Sequence, residues 1–140
     1  MAGAPHNWLK AAIEAAAGCT AWPVGMTGGG EPPYVIYTRE QTARELSLDD
    51  ELSATPGPGA VPPLARYTVA VYADSYVQAW SIANAITAAI HLFAGGPEDA
   101  SGETIHQCLV ADERDGDAGY LEGREQPTYT VEQDVEIRFS

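Results

Sequence analysis

The stretch "YTVAVYADSYVQAWSIANAITAAI", residues 67–90, changes its periodicity at one point and constrains the fold more than any other part of the chain. Before Asp74 the apolar residues alternate with period two, which is typical of a strand. After Ser75 they recur at spacings of three and four, which is typical of a helix with one buried stripe. Asp74 or Ser75 is a suitable N-cap between the two. A strand is therefore predicted to run directly into a long helix that covers an apolar sheet.

The predicted helix extends toward the Gly-Gly-Pro sequence at 95–97, which is expected to terminate it. Its apolar stripe is Ala79, Ile82, Ala83, Ile86, Ile90 and Phe93, with Val77 and Trp80 at the margins. A shorter helix is predicted over residues 6–17, with Asn7 as its cap and Gly18 at its end. Its stripe is Trp8, Leu9, Ala12, Ile13 and Ala16. The chain thus offers two amphipathic helices to a sheet.

Three further segments have the composition or the alternation of strands. "PYVIY" at 33–37 is β-branched and aromatic, and because it is apolar on both faces it is expected inside the sheet. "ETIHQCLVADE" at 103–113 and "YTVEQDVEIRFS" at 129–140 both alternate. In the last strand Val131, Val135, Ile137 and Phe139 are predicted to face inward, and Glu132, Asp134, Glu136 and Arg138 outward. With the strand at 66–73, the sheet has about four strands.

The other segments are predicted to be irregular. Residues 19–33 contain three consecutive glycines, and long loops are expected at 38–65 and 112–127. Within these loops "ARELSLDDEL" is compatible with a helical turn, and the Asp115-Gly116 pair is a hairpin signal. A length of 140 residues suits a single domain, 1–140. The predicted fold class is α+β, a mixed, mainly antiparallel sheet packed against two helices, with a long loop or hairpin extension.

Charge and composition exclude several classes of protein. The chain has 20 Asp and Glu but only 7 Lys and Arg, which gives a net charge of -13. So negative a protein is not expected to bind a phosphate backbone. Cys19 and Cys108 are too few for a disulfide framework, which favours a reducing cytoplasm. The start "MAGAPHNWLK" lacks the features of a signal peptide, and no apolar run reaches the roughly 18 residues of a membrane span. No contact with a membrane is expected.

Candidates for chemistry are few. No His or Cys spacing typical of a metal site occurs, and the triple glycine at 28–30 lacks the flanking strand, helix and Lys of a phosphate cradle. The acids of "LDDEL" at 48–52 lie in a polar loop, where fixed catalytic geometry is not expected. His106 and Cys108 share a predicted strand face, so a small cytoplasmic enzyme with a Cys nucleophile is one hypothesis. Packing is the favoured interpretation because no orienting group is evident, and no catalytic residue, metal or cofactor is predicted.

The order of these elements resembles the tail completion, or tail terminator, family of long-tailed bacteriophages and related prophage and gene-transfer particles. The resemblance rests on the N-terminal helix, "WP" followed by "PPYVIY", the strand-to-helix junction, and the closing "YTVEQDVEIRF", and it covers essentially the whole chain. It implies a structural virion protein and not an enzyme, assembled in the bacterial host cytoplasm. Such a protein forms a hexameric ring at the head-proximal neck end of the tail tube. The ring stops tube polymerisation and provides the docking surface for the head.

The resemblance implies three partners: further copies of the chain, the major tail tube protein and the head-tail connector. A closed ring needs two different surfaces on each protomer, and the loops at 38–65 and 112–127 are candidates for them. DNA is expected to pass through without specific binding. Glu132, Asp134 and Glu136 are the candidate acidic lining of that channel, because carboxylates deny DNA its phosphate contacts. The alternative within the same particles is another neck component, a head-closure or minor tail protein.

Overall fold

The computed structural model describes residues 5–24, 32–43, 63–94, 105–116, 119–120 and 127–139. Within these ranges the helices are α1 (Pro5–Ala17) and α2 (Tyr76–Ile90). The strands are β1 (Ala21–Pro23), β2 (Tyr34–Ala43), β3 (Leu64–Ala73), β4 (Ile105–Asp115), β5 (Gly119–Tyr120) and β6 (Pro127–Phe139).

Five strands form one sheet in the order β1-β2-β3-β6-β4, and the short β5 pairs in addition with the start of β6. β1 runs parallel to β2, while the other neighbours are antiparallel. The predicted α+β class is confirmed, with two helices against a mixed, mostly antiparallel sheet. β2 lies between β1 and β3, inside the sheet as its two apolar faces predict.

Both helices cover the same face of the sheet. α2 lies over β3, β6 and β4, and α1 packs against α2 and against β1 and β2. The stripe predicted for α2 is buried at Ala79, Ile82, Ala83, Ile86 and Ile90. Its partners in the core are Leu9, Ile13, Val35, Tyr67, Val69, Val71, Val131, Val135 and Ile137. The strand-to-helix junction therefore builds the core, as its change of period predicts.

Ser75 caps α2, and the helix ends earlier than predicted. The Ser75 hydroxyl accepts a hydrogen bond from the Gln78 backbone at 3.1 Å. The last helical residue is Ile90, so the prediction that residues 95–97 terminate the helix is wrong. The reason is a contact with β4: the Leu92 N–H donates to the Cys108 carbonyl at 2.7 Å, and the Cys108 N–H donates to the Phe93 carbonyl at 3.0 Å. Backbone bonds to a strand replace the next helical turn.

α1 begins at Pro5, so the prediction that Asn7 caps it is wrong. Proline suits the first position of a helix because it has no N–H to leave unsatisfied there. Gly18 ends α1 as predicted, with a φ of 70° that a glycine adopts without strain, and its N–H donates to the Glu14 carbonyl at 3.0 Å. Leu9 and Ile13 are the fully buried members of its stripe.

The prediction that residues 19–33 are irregular is wrong at β1. Glu14 helps to hold this short strand in place, because one of its carboxylate oxygens accepts a hydrogen bond from the Ala21 N–H at 3.1 Å. The other oxygen accepts a hydrogen bond from Lys10 Nζ at 2.8 Å. These hydrogen bonds, the one from Lys10 first, lower the pKa of Glu14 against the opposing effect of burial. β1 also pairs with β2 from Ala21 to Pro23. Both contacts join β1 to another element, and the periodicity of residues 19–33 does not indicate either of them.

The loops predicted at 38–65 and 112–127 are shorter than expected at the ends that the structure describes. β2 continues to Ala43 and β3 starts at Leu64. The Asp115-Gly116 pair does not form the turn of a tight hairpin, because Asp115 is still in β4 and the Gly116 N–H donates to the Thr130 carbonyl at 2.7 Å, one residue beyond the end of the strand. A Cβ at Gly116 would lie 2.9 Å from Thr130 Cγ2, so glycine permits this approach. The second predicted loop also contains a strand, because β5 at Gly119–Tyr120 pairs with the start of β6. The triple glycine at 28–30 and residues 44–62, 117–118 and 121–126 of the two predicted loops, which include all but the first residue of "ARELSLDDEL", lie outside the described residues.

Candidate functional surface

The sheet face opposite the helices carries the three carboxylates predicted to line a channel. In β6, Val131, Gln133, Val135 and Ile137 are buried toward the helices, and the alternate residues face the other way. The side chains of Glu132, Asp134 and Glu136 are 36%, 43% and 30% exposed. The structure thus brings all three together in a row on one open face. The name "acidic face" is used below for this row and the side chains paired with it.

Arg114 of β4 holds the centre of the acidic face. Its Nη1 lies 2.9 Å from Asp134 Oδ2 and 3.3 Å from Asp112 Oδ2, and its Nε lies 3.3 Å from Glu132 Oε2. The hydrogen bond to Asp134 is the main cause of the raised pKa of Arg114. A bulge between Val110 and Asp112 makes this contact possible, because one extra residue shifts the alternation of β4.

Further residues extend the acidic face toward β2. Arg66 Nε of β3 lies 3.2 Å from Glu136 Oε1, and the Thr68 hydroxyl donates to Glu40 Oε1 at 3.1 Å. The carboxylates of the face are Glu40, Asp112, Glu132, Asp134 and Glu136, and the arginines are Arg66, Arg114 and, at the end of β6, Arg138. Among the residues that the structure describes, carboxylates on this face therefore exceed arginines by five to three. Exposed pairs of this kind add little stability, so their main effect is on the distribution of charge.

An aromatic pair occupies the other end of the same sheet face. The rings of Tyr34 and Tyr72 stack with their centroids 5.0 Å apart and an interplanar angle of 17°. They belong to neighbouring strands, in direct register across β2 and β3. Both rings are half-buried. The open face is therefore apolar at one end and charged at the other.

A cavity of about 320 Å³ lies on the helix side of the sheet, near the β1 edge. The described residues that line it are His6, Pro23, Val24, Tyr37, Arg39 and Tyr67. Tyr37 and Tyr67 are buried, and burial raises the pKa of the Tyr37 hydroxyl. The cavity thus combines an apolar interior with a guanidinium and an imidazole in its lining. The name "β1-edge cavity" is used for it below.

The structure does not assemble the His106 and Cys108 pair into a catalytic site. A register shift between Ile105 and Gln107 breaks the predicted alternation at the start of β4. Cys108 is fully buried, whereas His106 is exposed. Burial raises the pKa of the Cys108 thiol to about 12, and only the thiolate is an effective nucleophile. The geometry therefore gives the enzyme hypothesis no support.

Cys108 is expected to resist alkylation until the protein unfolds. A thiol pKa of about 12 instead of 9 lowers the thiolate fraction at pH 8 about a thousandfold, and burial also blocks access. Alkylation of the native protein should therefore modify Cys108 at least about a hundredfold more slowly than alkylation in urea. Peptide mapping by mass spectrometry measures both rates. Equal rates in the two states would show that Cys108 is not in the core.

The described residues contain neither a metal-binding cluster nor a membrane-spanning helix. Within residues 5–24, 32–43, 63–94, 105–116, 119–120 and 127–139, no group of three or more His, Cys, Asp or Glu is placed to hold a metal ion. None of the helices in those ranges is long and apolar enough to cross a membrane.

Gln133 is one of two buried polar residues among those described, with Thr128, and no role was predicted for it. Its side-chain amide donates to the Ala83 carbonyl and to the Thr87 hydroxyl, both at 2.9 Å, and Glu113 Oε2 lies 3.4 Å away. Its Oε1 has no hydrogen-bond partner in the structure. The signal was present in the sequence, since Gln133 stands between two inward-facing valines of β6. Gln133 fixes α2 to the centre of the sheet.

Asp115 makes the corresponding contact at the start of α2. Its carboxylate accepts hydrogen bonds from Trp80 Nε1 at 2.8 Å and from the Tyr76 hydroxyl at 3.3 Å. Nearer the end of the helix, the Thr87 hydroxyl donates to Glu113 Oε1 at 3.1 Å. Since Glu113 and Asp115 lie after the bulge of β4, their side chains point toward the helices. β4 therefore presents acids to both sides of the sheet.

Comparison with known proteins shows that the fold is similar to that of chains in solved structures. No protein-family model matches the chain, and no curated protein matches it. Sixteen chains of solved structures match. One of them belongs to the "Virion of native gene transfer agent (GTA) particle", with 16% sequence identity and a TM-score of 0.56, over 91% of this chain and 83% of that chain. At this identity the match shows a common fold, with helices over one face of a mixed sheet.

Proposed function

We propose that the protein is a structural component of a phage-like virion, and that within the virion it is the tail terminator. The observation that carries the proposal is the fold likeness to a chain of a gene transfer agent particle, which extends over 91% of the protein. The strand-to-helix junction and the closing strand, on which the resemblance to tail terminators rests, form the centre of this fold as α2, β3 and β6. The features that define the resemblance are thus also those that build the core.

In this proposal the protein forms a hexameric ring at the head-proximal end of the tail tube. The two edges of the sheet are different, because β1 is a three-residue parallel strand and β4 is an eleven-residue antiparallel strand. A protomer with unlike edges can contact the next one head to tail, and such contacts close into a ring when the rotation between neighbours allows it. The ring would stop tube polymerisation by giving the next tube subunit no matching surface, and would receive the head connector on its far side.

The acidic face is proposed to line the channel of the ring. The helices occupy the opposite sheet face, so the open face is the one that remains available to the lumen. Arg66 and Arg114 each lie within 3.3 Å of a carboxylate, so their charges are compensated locally. DNA phosphates would meet a surface with excess negative charge, which disfavours the phosphate contacts that make DNA bind. DNA could then pass without sticking.

A tube-length assay tests the proposed role. Tube subunits from the same particle are allowed to polymerise with increasing amounts of the purified protein, and tube lengths are measured by electron microscopy. A terminator is expected to shorten the tubes and to bind one end. A head-closure protein would leave tube length unchanged and would bind the head connector instead. Unchanged lengths together with no end-bound protein would contradict the terminator role.

A further inference from the structure

We infer that Leu92 inserts into the β1-edge cavity of the neighbouring copy, so that this one side chain anchors the contact between protomers. The inference rests on the proposed ring and deepens it by naming the two surfaces that meet. It accounts for two features that do not contribute to the core, the exposed side chain of Leu92 and the β1-edge cavity.

The backbone of Leu92 is held in a conformation that leucine rarely adopts. Its φ is 65°, in the left-handed region where a Cβ approaches the backbone and where glycine or asparagine is usual after a helix. Two hydrogen bonds to β4 hold the Leu92 backbone in this conformation. The Leu92 N–H donates to the Cys108 carbonyl, and the Val110 N–H donates to His91 Nδ1 at 3.0 Å. The side chain is nevertheless 65% exposed. For folding alone, glycine would be the more stable residue at this position. We therefore assign the leucine side chain to a contact with another protein chain.

The β1-edge cavity has the size and the chemistry to take a leucine side chain. A cavity of about 150 Å³ with apolar walls is enough for a benzene molecule, and this one measures about 320 Å³. Tyr37 and Tyr67 give it buried aromatic walls. Val24, at its margin, is itself one of the exposed large apolar residues. An apolar group entering the cavity would therefore bury apolar surface on both sides.

Leu92 and the cavity lie at opposite edges of the sheet. Leu92 bonds to β4, the last strand of the order β1-β2-β3-β6-β4, and the cavity adjoins β1 through Pro23. A projection at one edge and a recess at the other define a head-to-tail contact, in which every protomer uses both. Two surfaces at the same edge would instead favour a two-fold dimer.

Charge favours the same pairing. Copies that each carry a net charge of -13 repel one another, so a stable contact needs apolar burial or local compensation. The cavity lining includes Arg39 and His6. The second half of β4 carries Asp112, Glu113 and Asp115 against one arginine, Arg114. Glu113 and Asp115 are hydrogen-bonded to neutral donors of α2 that leave their charge in place. A recess lined by a guanidinium would thus meet an edge with an excess of carboxylates, which favours a second copy of this chain as the occupant.

The first test compares Leu92→Gly with Val77→Ala. Val77 is the matched control, because it is 77% exposed and lies at the start of α2. Leu92→Gly removes the side chain and also relieves the backbone, so the monomer is expected to keep or raise its melting temperature. We expect the concentration for half-maximal assembly, measured by mass photometry, to rise at least about tenfold for Leu92→Gly and to stay unchanged for Val77→Ala.

The second test is a cross-link between copies. In a Cys19→Ala background, Val24→Cys combined with Leu92→Cys is expected to give a ladder of covalent oligomers on oxidation, whereas Val24→Cys with Val77→Cys is not. If wild-type rings form but Leu92→Gly assembles equally well and no ladder appears, the inference is wrong and the ring proposal stands. A wild-type protein that stays monomeric even in the presence of tails would contradict both.

Discussion

Replacing Gln133 by glutamate is expected to destabilise the protein by about 3–5 kcal/mol at pH 7, because the change places an unpaired charge in the core. Gln133 is fully buried, and its amide N–H groups donate to the Ala83 carbonyl and the Thr87 hydroxyl. A carboxylate of the same shape would oppose the Ala83 carbonyl with a second acceptor. It would also face the Glu113 carboxylate, whose Oε2 lies 3.4 Å from the present amide nitrogen.

The loss of stability in this variant should depend on pH. Burial disfavours the charged form, so the folded-state pKa of the introduced carboxyl group lies above its unfolded value of about 4.3. The penalty is full above the folded-state pKa and shrinks as the pH falls toward the unfolded value. The deficit measured by urea unfolding should therefore be smaller at pH 5 than at pH 8.

Gln133→Met is the matched control for charge. It fills the same space without a donor, so we expect a loss of about 1–3 kcal/mol that does not depend on pH in this range. If the glutamate variant is no less stable than the methionine variant at pH 8, Gln133 does not lie in a closed core between α2 and the sheet.

Neutralising the acidic face is expected to reduce DNA transfer by the particle at least about tenfold, while the fold remains intact. The variant combines Glu132→Gln, Asp134→Asn and Glu136→Gln. It removes the Glu136 carboxylate beside Arg66 and two of the three carboxylates beside Arg114. Among the described residues the face then has more arginines than carboxylates. If this face lines the proposed channel, DNA phosphates would then bind the wall of the channel instead of passing along it. Transfer frequency per particle measures the effect, and DNA binding that weakens from 50 to 200 mM salt identifies its cause.

A charge-matched control separates the acidic face from the total charge. Asp49→Asn, Asp50→Asn and Glu51→Gln change the net charge by the same amount in the segment between β2 and β3. We expect this control to transfer DNA normally. Exposed ion pairs contribute little to stability, so both variants should melt near the wild-type temperature. Normal transfer by the acidic-face variant would show that this face does not line the channel, and equal loss in the control would assign the effect to total charge.

Two elements could be predicted closely because their pattern is local and regular. The stripe from Ala79 to Ile90 follows the period of a helix, and the residues from Val131 to Ile137 follow that of a strand. Glu132, Asp134 and Glu136 of the acidic face could be placed together for the same reason, since they are alternate residues of one strand. Gln133 could also have been predicted from that alternation, but a polar residue is not expected to be buried unless its partners are known.

Other features depend on contacts between distant segments. β1 exists because Glu14 and β2 hold its three residues, and "TREQTA" at the end of β2 is polar but pairs with β3. The bulge before Asp112 decides that Arg114 reaches the acidic face. The early end of α2 depends on hydrogen bonds to Cys108. Periodicity and composition do not predict these features, because each of them depends on a contact with another element of the fold.

The mass of the assembled protein, measured in solution across concentration and followed by imaging of particles, tests the central claim most directly. The account predicts a monomer that assembles into closed hexamers and no further, and rings of the protein at the head-proximal end of tails. Filaments that grow indefinitely with concentration, or a stable monomer that is absent from tails, would contradict it.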